Sequence, residues 1–254
     1  MQDIFIRDVG KGFPLVLVHG FLGSSKMWEP QINFFKDHFR VITPDLPGFG
    51  KSNKVKSHNN IKSISNLLLE RLKEKKIDQF YLLGHSMGGM IVQEMAKQAK
   101  DKISKLICYS TGPTGEMPGR FETVDKSREN LKKKGLEITA KNIAKTWFVK
   151  GEEAEYFNIC VESGKETSIE AADNALVAFK NWNGVDTLKN IKNETLILWG
   201  DQDKSYDIKQ IEILKKNISN SVLNIFEGCA HNIHLEKIDE FNNKVQEFLN
   251  KSLR

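Results

Sequence analysis

Cysteine is scarce in this sequence: Cys108, Cys160 and Cys229 are the only three in 254 residues. They are odd in number and far apart, and none belongs to a Cys-x-x-Cys pair. This pattern excludes the disulfide framework of a small secreted domain and the paired-cysteine type of metal site. We therefore expect buried, free thiols that serve as small hydrophobic side chains in a reducing compartment.

Long hydrophobic runs are also missing. The longest is interrupted by His19 and Gly20 and is far shorter than the roughly 20 residues that a transmembrane helix needs. Residues 1–8 lack the basic flank and apolar core that mark a signal peptide. The sequence thus predicts a cytoplasmic protein with no membrane span.

The charge pattern does not favour a nucleic-acid partner. The formal net charge is only +5, and its lysines are scattered over segments with helical periodicity, such as residues 132–134. No basic stripe is interleaved with aromatic side chains, as single-strand binding requires. We interpret these lysines as solvated helix faces and predict no nucleic-acid binding.

Motifs for nucleotides and metals are incomplete. The Gly-Phe-Gly-Lys-Ser segment around Gly50 ends like a phosphate-binding loop, but Asp45 stands where the first glycine is required. Asn53 occupies the place of the third glycine of a dinucleotide fingerprint. His231 and His234 have no Glu-x-x-His context and no cysteine companion. The sequence therefore predicts neither a cofactor nor a metal.

Short apolar runs alternate with amphipathic helical patterns through most of the chain. Strands are predicted at residues 3–7, 15–18, 41–43, 103–109, 195–199 and 222–226, and helices at 27–39, 60–76, 207–217 and 235–251, with a strand followed by a helix over 80–99. Such alternation predicts an α/β fold, a mostly parallel sheet with helices on both faces.

The alternation stops between residues 112 and 185. This segment is mostly helical in pattern, is rich in aromatic residues and has no convincing buried strand. Because the sheet pattern resumes after it, we interpret 112–185 as a helical cap inserted into a core domain formed by residues 1–111 and 186–254.

Residues 80–90 are the most informative stretch. Four apolar or aromatic residues precede Gly84, Ser86 and Gly88, and a helical pattern follows. The sequence predicts a strand, a sharp turn that the glycines permit, and a helix, so that the Ser86 hydroxyl stands clear of the sheet.

Other polar side chains follow the predicted strands at the same edge of the sheet. They are His19, Asp45, Asp201, Asp203 and His231. In an open parallel sheet this edge binds ligands. A serine hydroxyl there needs a base to take its proton, and the base needs a carboxylate to orient it. A serine, a histidine and an aspartate are all available.

Four motifs resemble those of the α/β-hydrolase superfamily. They are HGFLG at 19–23, DLPGFGKS at 45–52, GHSMGG at 84–89, and GDQD at 200–203 followed by Ala230-His231 and Glu236. The likeness is to the small, cofactor-free branch of carboxylesterases, enol-lactonases, C–C bond hydrolases and haloperoxidase-like enzymes.

The resemblance implies roles for particular residues. Ser86 would be the nucleophile, His231 the general base and then acid, and Asp203 the orienting carboxylate. The family's acid lies three residues after the motif glycine, which selects Asp203 over Asp201, and its histidine precedes a glutamate by five positions, which selects His231 over His234. The backbone N–H groups of Phe21 and Met87 would form the oxyanion hole. His19 and His85 belong to structural motifs.

The resemblance also bears on the pocket and the substrate. Trp147 and Phe148 resemble a Trp-Phe segment of enol-lactonase-like members and are predicted to line the pocket. The chain departs from the family after Asp203, where the usual proline is absent. We expect a serine hydrolase acting on a small carboxylic ester or lactone. The alternatives are a C–C bond hydrolase of ring-cleavage products and a catalytically silent binding protein on the same scaffold.

Overall fold

Seven strands form one sheet in the computed structural model, which describes residues 3–251. The strands are β1 (Ile6–Val9), β2 (Pro14–Val18), β3 (Arg40–Pro44), β4 (Phe80–His85), β5 (Ile103–Tyr109), β6 (Glu194–Gly200) and β7 (Ser221–Phe226). Their order across the sheet is β1-β3-β2-β4-β5-β6-β7. Edge strand β1 is antiparallel to β3, and every other neighbouring pair is parallel.

Helices lie in the connections that follow β2 and the later strands. They are α1 (Glu29–Phe35), α2 (Ile61–Glu74), α3 (Met87–Gln98), α4 (Val124–Ala144), α5 (Phe157–Lys165), α6 (Ile169–Lys180), α7 (Val185–Leu188), α8 (Ile208–Asn217), α9 (Ile233–Glu236) and α10 (Ile238–Asn250). None of the helices in residues 3–251 is both long enough and apolar enough to cross a membrane.

The two faces of the sheet carry separate cores because successive side chains of a strand point to opposite sides. On β2, Leu15 and Leu17 pack in one cluster with residues of α1 and α10, such as Phe35. Val16 and Val18 pack in the other cluster, together with residues of α2, α3 and α8. A strand buried on both faces reads as a continuous apolar run, as β2 does in the sequence. The structure confirms the predicted α/β class, a mostly parallel sheet covered by helices on both faces.

The chain between β5 and β6 contains helices α4 to α7 and adds no strand to the sheet in the described residues. Its only extended pairing is an isolated bridge between Thr114 and Asn183. Helix α4 is broken at Gly135, whose φ of 77° is not helical. This segment therefore consists of short helical pieces.

Some element boundaries differ from the sequence prediction. The helix expected over 27–39 is a 3-10 turn, Ser25–Trp28, followed by α1, in which proline occupies one of the first positions. The C-terminal helix divides into α9 and α10 at Lys237, whose φ and ψ are −132° and 63°. Residues 1–2 and 252–254, assigned to the core domain above, lie outside the described residues.

Candidate active site

Ser86 occupies a sharp turn between β4 and α3. Its φ and ψ are 57° and −120°, a conformation that side chains other than glycine rarely adopt. The turn is tight: a Cβ on Gly84 would lie 2.3 Å from the carbonyl oxygen of Gly88, and one on Gly88 would lie 2.4 Å from that of Val18. Only glycine fits at these two positions, which explains their spacing around the serine.

The backbone of Ser86 is held on both sides. Its N–H donates to the carbonyl of Tyr109 at 2.9 Å, and its own carbonyl accepts a hydrogen bond from the Thr111 hydroxyl at 2.8 Å. Both partners lie at or just after the end of β5. These bonds fix the strained turn to the neighbouring strand.

Asp203 and His231 are brought together although 28 residues separate them in sequence. They lie on the loops after the neighbouring strands β6 and β7, and His231 Nδ1 is 2.9 Å from Asp203 Oδ2. Both side chains are buried. The other carboxylate oxygen of Asp203 accepts the backbone N–H of Ser205 at 2.7 Å. The carboxylate is thus fixed while it orients the imidazole.

The competing aspartate and histidine have other partners. Asp201 is exposed, and its Oδ1 accepts the backbone N–H of Gly228 at 2.8 Å, which ties the loop after β6 to the loop after β7. His234 is buried, with Nδ1 2.9 Å from the Tyr109 hydroxyl. The Asp203 carboxylate therefore contacts His231 and not His234.

His19 and His85 are built into the loops around the site. His19 Nδ1 lies 2.8 Å from the Gly20 carbonyl, and its Nε2 accepts the backbone N–H of Leu46 at 3.0 Å. His85 Nε2 lies 3.1 Å from the carbonyl of His231. Burial lowers the pKa of both side chains, that of His85 well below its usual value. Both imidazoles are therefore neutral near pH 7, and their hydrogen bonds hold the neighbouring loops in place.

Two further contacts hold the loop that carries His231. The Glu236 carboxylate accepts the backbone N–H of Ala230 at 2.7 Å and that of Val149 at 2.7 Å. The ring of Tyr206 stacks on His231 with a centroid separation of 5.9 Å and an angle of 17° between the planes. The imidazole is thereby confined between a carboxylate, a phenol ring and its own loop.

Two backbone N–H groups beside Ser86 are available as donors. Met87 is the first residue of α3, where N–H groups have no partner within the helix. Phe21 lies in the turn after β2. Within residues 3–251, neither N–H donates to another protein group.

A small cavity opens onto Ser86 and His231. Its volume is about 30 Å³, which is room for about two water molecules. The remaining lining residues are mostly apolar or aromatic: Phe21, Met87, Met117, Arg120, Phe121, Ile143, Trp147, Phe179, Ser205 and Tyr206. None of these described residues is an aspartate or a glutamate.

The two aromatic residues proposed for the pocket separate in the structure. Trp147 lines the cavity, with its ring centroid 6.3 Å from that of His231. Phe148 is not among the described lining residues; it is buried and borders two other clefts, whose described lining includes neither Ser86 nor His231. The 3-10 turn ends at Trp147 and Phe148 is extended, so the two side chains diverge.

Arg120 and Tyr206 lie in the cavity but were not identified by sequence reasoning. Arg120 belongs to an irregular segment before α4, where no periodic pattern predicts which way a side chain points. Tyr206 follows Asp203 at the place where the sequence departs from the family pattern. That departure was the only available signal for it.

No group of three or more His, Cys, Asp or Glu side chains in the described part of the chain is arranged to hold a metal ion. The three cysteines are buried and free. Burial raises the pKa of the Cys108 and Cys229 thiols to about 12, so neither is a thiolate at neutral pH. These two thiols are therefore poor nucleophiles at neutral pH.

Known proteins are similar to this chain over nearly its whole length. A pimeloyl-[acyl-carrier protein] methyl ester esterase from Legionella pneumophila (strain Corby) is 28% identical over 252 residues, covering 98% of this chain and 100% of the relative. A putative non-heme chloroperoxidase from Synechocystis sp. is 28% identical over 269 residues, covering 97% of this chain and 95% of the relative. An esterase structure from Exiguobacterium antarcticum superposes with a TM-score of 0.91 at 24% identity, over 98% of this chain and 96% of that one.

A family model described as the alpha/beta hydrolase fold matches residues 14–238, which include Ser86, Asp203 and His231. The seven-stranded sheet, the strained serine turn at its carboxyl edge and the full-length esterase relatives are consistent with that match. This protein belongs to the α/β-hydrolase family.

Proposed function

We propose that this protein is a serine hydrolase that cleaves a small carboxylic ester or lactone through an acyl-enzyme. Ser86 attacks the substrate carbonyl, and His231 accepts the serine proton and then donates it to the leaving alcohol. Water then attacks the acyl-enzyme with His231 as the base, which releases the acid and restores Ser86.

The observation that carries this proposal is the hydrogen bond of 2.9 Å between His231 Nδ1 and Asp203 Oδ2, made by a histidine that lines the same cavity as Ser86. Because Nδ1 is engaged, Nε2 is the ring nitrogen left to receive a proton. The buried carboxylate fixes that tautomer and stabilises the imidazolium that forms during attack.

The N–H groups of Phe21 and Met87 serve as the proposed oxyanion hole. Neither is used by the rest of the described chain, so both can donate to the oxygen that becomes negative in the tetrahedral intermediate. Fixed backbone donors need no reorganisation as that charge develops.

Residues 112–185 act as the proposed cap. They supply six of the lining residues: Met117, Arg120, Phe121, Ile143, Trp147 and Phe179. The remainder of the lining comes from loops at the sheet edge. Cap residues therefore select the substrate, while the core holds the reacting groups.

The names of relatives favour ester chemistry. The Legionella relative is named as a methyl ester esterase, and it aligns over essentially the whole of both chains. A relative from Pseudomonas putida, 28% identical over 270 residues, is named 2-hydroxy-6-oxononadienedioate/2-hydroxy-6-oxononatrienedioate hydrolase 1. The experiment that follows therefore includes a substrate that would be cleaved at a C–C bond.

The test compares wild type with Ser86→Ala on 4-nitrophenyl acetate and butyrate, on a small lactone and on a vinylogous 1,5-diketone. We expect the wild type to hydrolyse an ester or lactone and Ser86→Ala to lose at least about 10³-fold in kcat. Ser104→Ala is the matched control, because Ser104 lies at the opposite, amino-terminal end of β5.

Covalent labelling by a fluorophosphonate adds a readout that does not depend on the substrate. We expect it to modify Ser86 in wild type. Ester turnover that persists in Ser86→Ala contradicts the proposed mechanism. If wild type hydrolyses only the diketone, the protein is a C–C bond hydrolase and not an esterase or lactonase. Absence of both labelling and turnover identifies a silent binding protein.

A further inference from the structure

Arg120 is a cation in the wall of the cavity that opens onto Ser86. It lies in the segment between β5 and α4, and it is largely buried. Arg120 and Met117 also line a second, outer cleft of about 460 Å³, which contains the Lys180–Asp125 ion pair. These two residues thus separate the serine cavity from a wider opening at the surface.

The guanidinium is held in place by neutral groups. Its Nη1 donates to the Glu122 carbonyl at 2.6 Å and to the Ser127 hydroxyl at 2.9 Å. Its Cζ lies 4.3 Å from the ring centroid of Phe121, at a distance that a cation–π contact requires. Among residues 3–251, Nε and Nη2 donate no hydrogen bond, so one side of the planar group has spare donors.

No carboxylate in the described residues forms an ion pair with Arg120. The Glu122 side chain is close in sequence, but its two oxygens accept hydrogen bonds from Ser127 and from Asn130. The other arginine of this segment, Arg128, shows the contrast: its guanidinium pairs with Asp173 at 2.7 Å and 3.0 Å. Arg120 is therefore a largely buried cation with no directly bonded carboxylate in the described chain, and the Glu122 carboxylate reaches it only through Ser127 and through its charge.

Its charge persists at neutral pH. Burial lowers the pKa of Arg120 to about 10, and the side chain remains protonated at pH 7. Removing a charge from water is costly unless an opposite charge meets it. The described lining of the serine cavity holds no carboxylate, whereas the outer cleft that Arg120 also borders holds Glu116, Glu122 and Asp125. An anionic ligand therefore meets Arg120 favourably from the serine cavity, where a guanidinium edge can match a carboxylate by two parallel hydrogen bonds.

We propose that Arg120 binds a carboxylate carried by the substrate, so that the preferred substrates are short esters bearing a negative charge near the scissile bond. This inference rests on the proposed ester hydrolysis at Ser86. The Tyr206 side chain lines the same cavity, and its hydroxyl interacts with those of Ser86 and Thr111.

The test uses two pairs of esters of nearly equal shape, each with one charged and one neutral member. Methyl hydrogen succinate and methyl 4-methylpentanoate place the difference in the acyl part. O-acetylglycolate and isobutyl acetate place it in the alcohol part. The measured quantity is the ratio of kcat/KM for the charged ester to kcat/KM for the neutral one.

We expect wild type to favour the charged member of at least one pair, and the pair identifies which part of the substrate meets Arg120. Arg120→Gln lowers that ratio by about 10- to 100-fold, chiefly by raising KM for the charged ester, since a charged hydrogen-bonded contact is lost. Arg120→Lys retains part of the preference because it keeps the charge. Arg128→Gln, the matched control, leaves the ratio unchanged.

Equal ratios in wild type and Arg120→Gln for both pairs overturn the inference. Because the quantity is a ratio, a general loss of folded protein does not mimic the expected result.

Calorimetric titration of Ser86→Ala with succinate separates this inference from the proposed function. Binding that Arg120→Gln abolishes supports the carboxylate site even if no ester is hydrolysed. Ester turnover that depends on Ser86, with no succinate binding and no change in ratio, sustains the hydrolase and rejects the carboxylate site.

Discussion

At the scale of single residues, the sharpest distinction lies between two aspartates two positions apart. Asp203 is buried against His231, whereas Asp201 is exposed and holds the backbone of Gly228. The sequence alone could separate them only through the family's spacing. In the structure, the contact with the imidazole distinguishes the two.

Substitution of Asp203 by asparagine tests that distinction. An amide can present an N–H to His231 Nδ1, which favours the tautomer with its proton on Nε2 and leaves no acceptor for the serine proton. We expect Asp203→Asn to lower kcat by about 10³–10⁴-fold with a small change in KM. Steady-state kinetics on the best ester measure both kcat and KM. Asp201→Asn should change kcat by less than about threefold, and equal losses in the two variants would contradict the assignment.

At the scale of secondary-structure elements, a buried lysine joins the last helix to the centre of the sheet. Lys105 of β5 is fully buried, and its Nζ donates to the carbonyls of Phe248 and Lys251 at 2.7 Å and 2.5 Å. These carbonyls lie at the C-terminal end of α10, where helix carbonyls lack partners and a cation is favourable. The sequence shows this lysine only as an interruption of an apolar strand.

Substitution of Lys105 by methionine keeps most of the side-chain volume and removes the donors. Because buried carbonyls then lose their partner, we expect the free energy of unfolding to fall by about 1–3 kcal/mol. Urea denaturation followed by circular dichroism measures it. The exposed Lys73→Met, on α2, should change stability by less than about 0.5 kcal/mol. A stability equal to wild type for Lys105→Met would show that the lysine's own desolvation offsets its hydrogen bonds.

At the scale of the whole molecule, buried histidines make the fold sensitive to acid. Burial lowers the pKa of His234 to about 3 and that of His85 well below its usual value, so both are neutral in the folded state. In the unfolded chain they titrate near 6.5. The unfolded state therefore binds more protons below that pH, and stability is full above about pH 7 and falls as the pH decreases.

His234 should lower the free energy of unfolding by about 1.4 kcal/mol between pH 7.5 and 5.5, and His85 should lower it further in the same direction. Urea titrations across that range measure the slope. His234→Gln should reduce this loss of unfolding free energy by the contribution of His234. His38→Gln, at an exposed position, should leave the loss unchanged. Imidazole NMR signals of His85 and His234 that titrate near pH 6.5 in the folded protein would contradict the prediction.

The sequence by itself determined the fold class and the identity of the residues that meet at the candidate site. Buried parallel strands appear as continuous apolar runs, and the glycines at 84 and 88 mark a turn that no larger residue could make. These constraints act between residues that are close in sequence, so they can be recognised from the sequence alone. The edge at which Ser86, Asp203 and His231 converge follows from the parallel sheet alone.

Only the tertiary structure decided which side chains face the cavity. Trp147 lines it while its neighbour Phe148 points away, and Arg120 enters it from an irregular segment. Between β5 and β6 the chain is short helices and turns, whose directions depend on packing over the sheet edge and not on local periodicity. Ser86, Asp203 and His231 can therefore be identified as candidates from the sequence, whereas the composition of the cavity wall depends on contacts between segments distant in the chain.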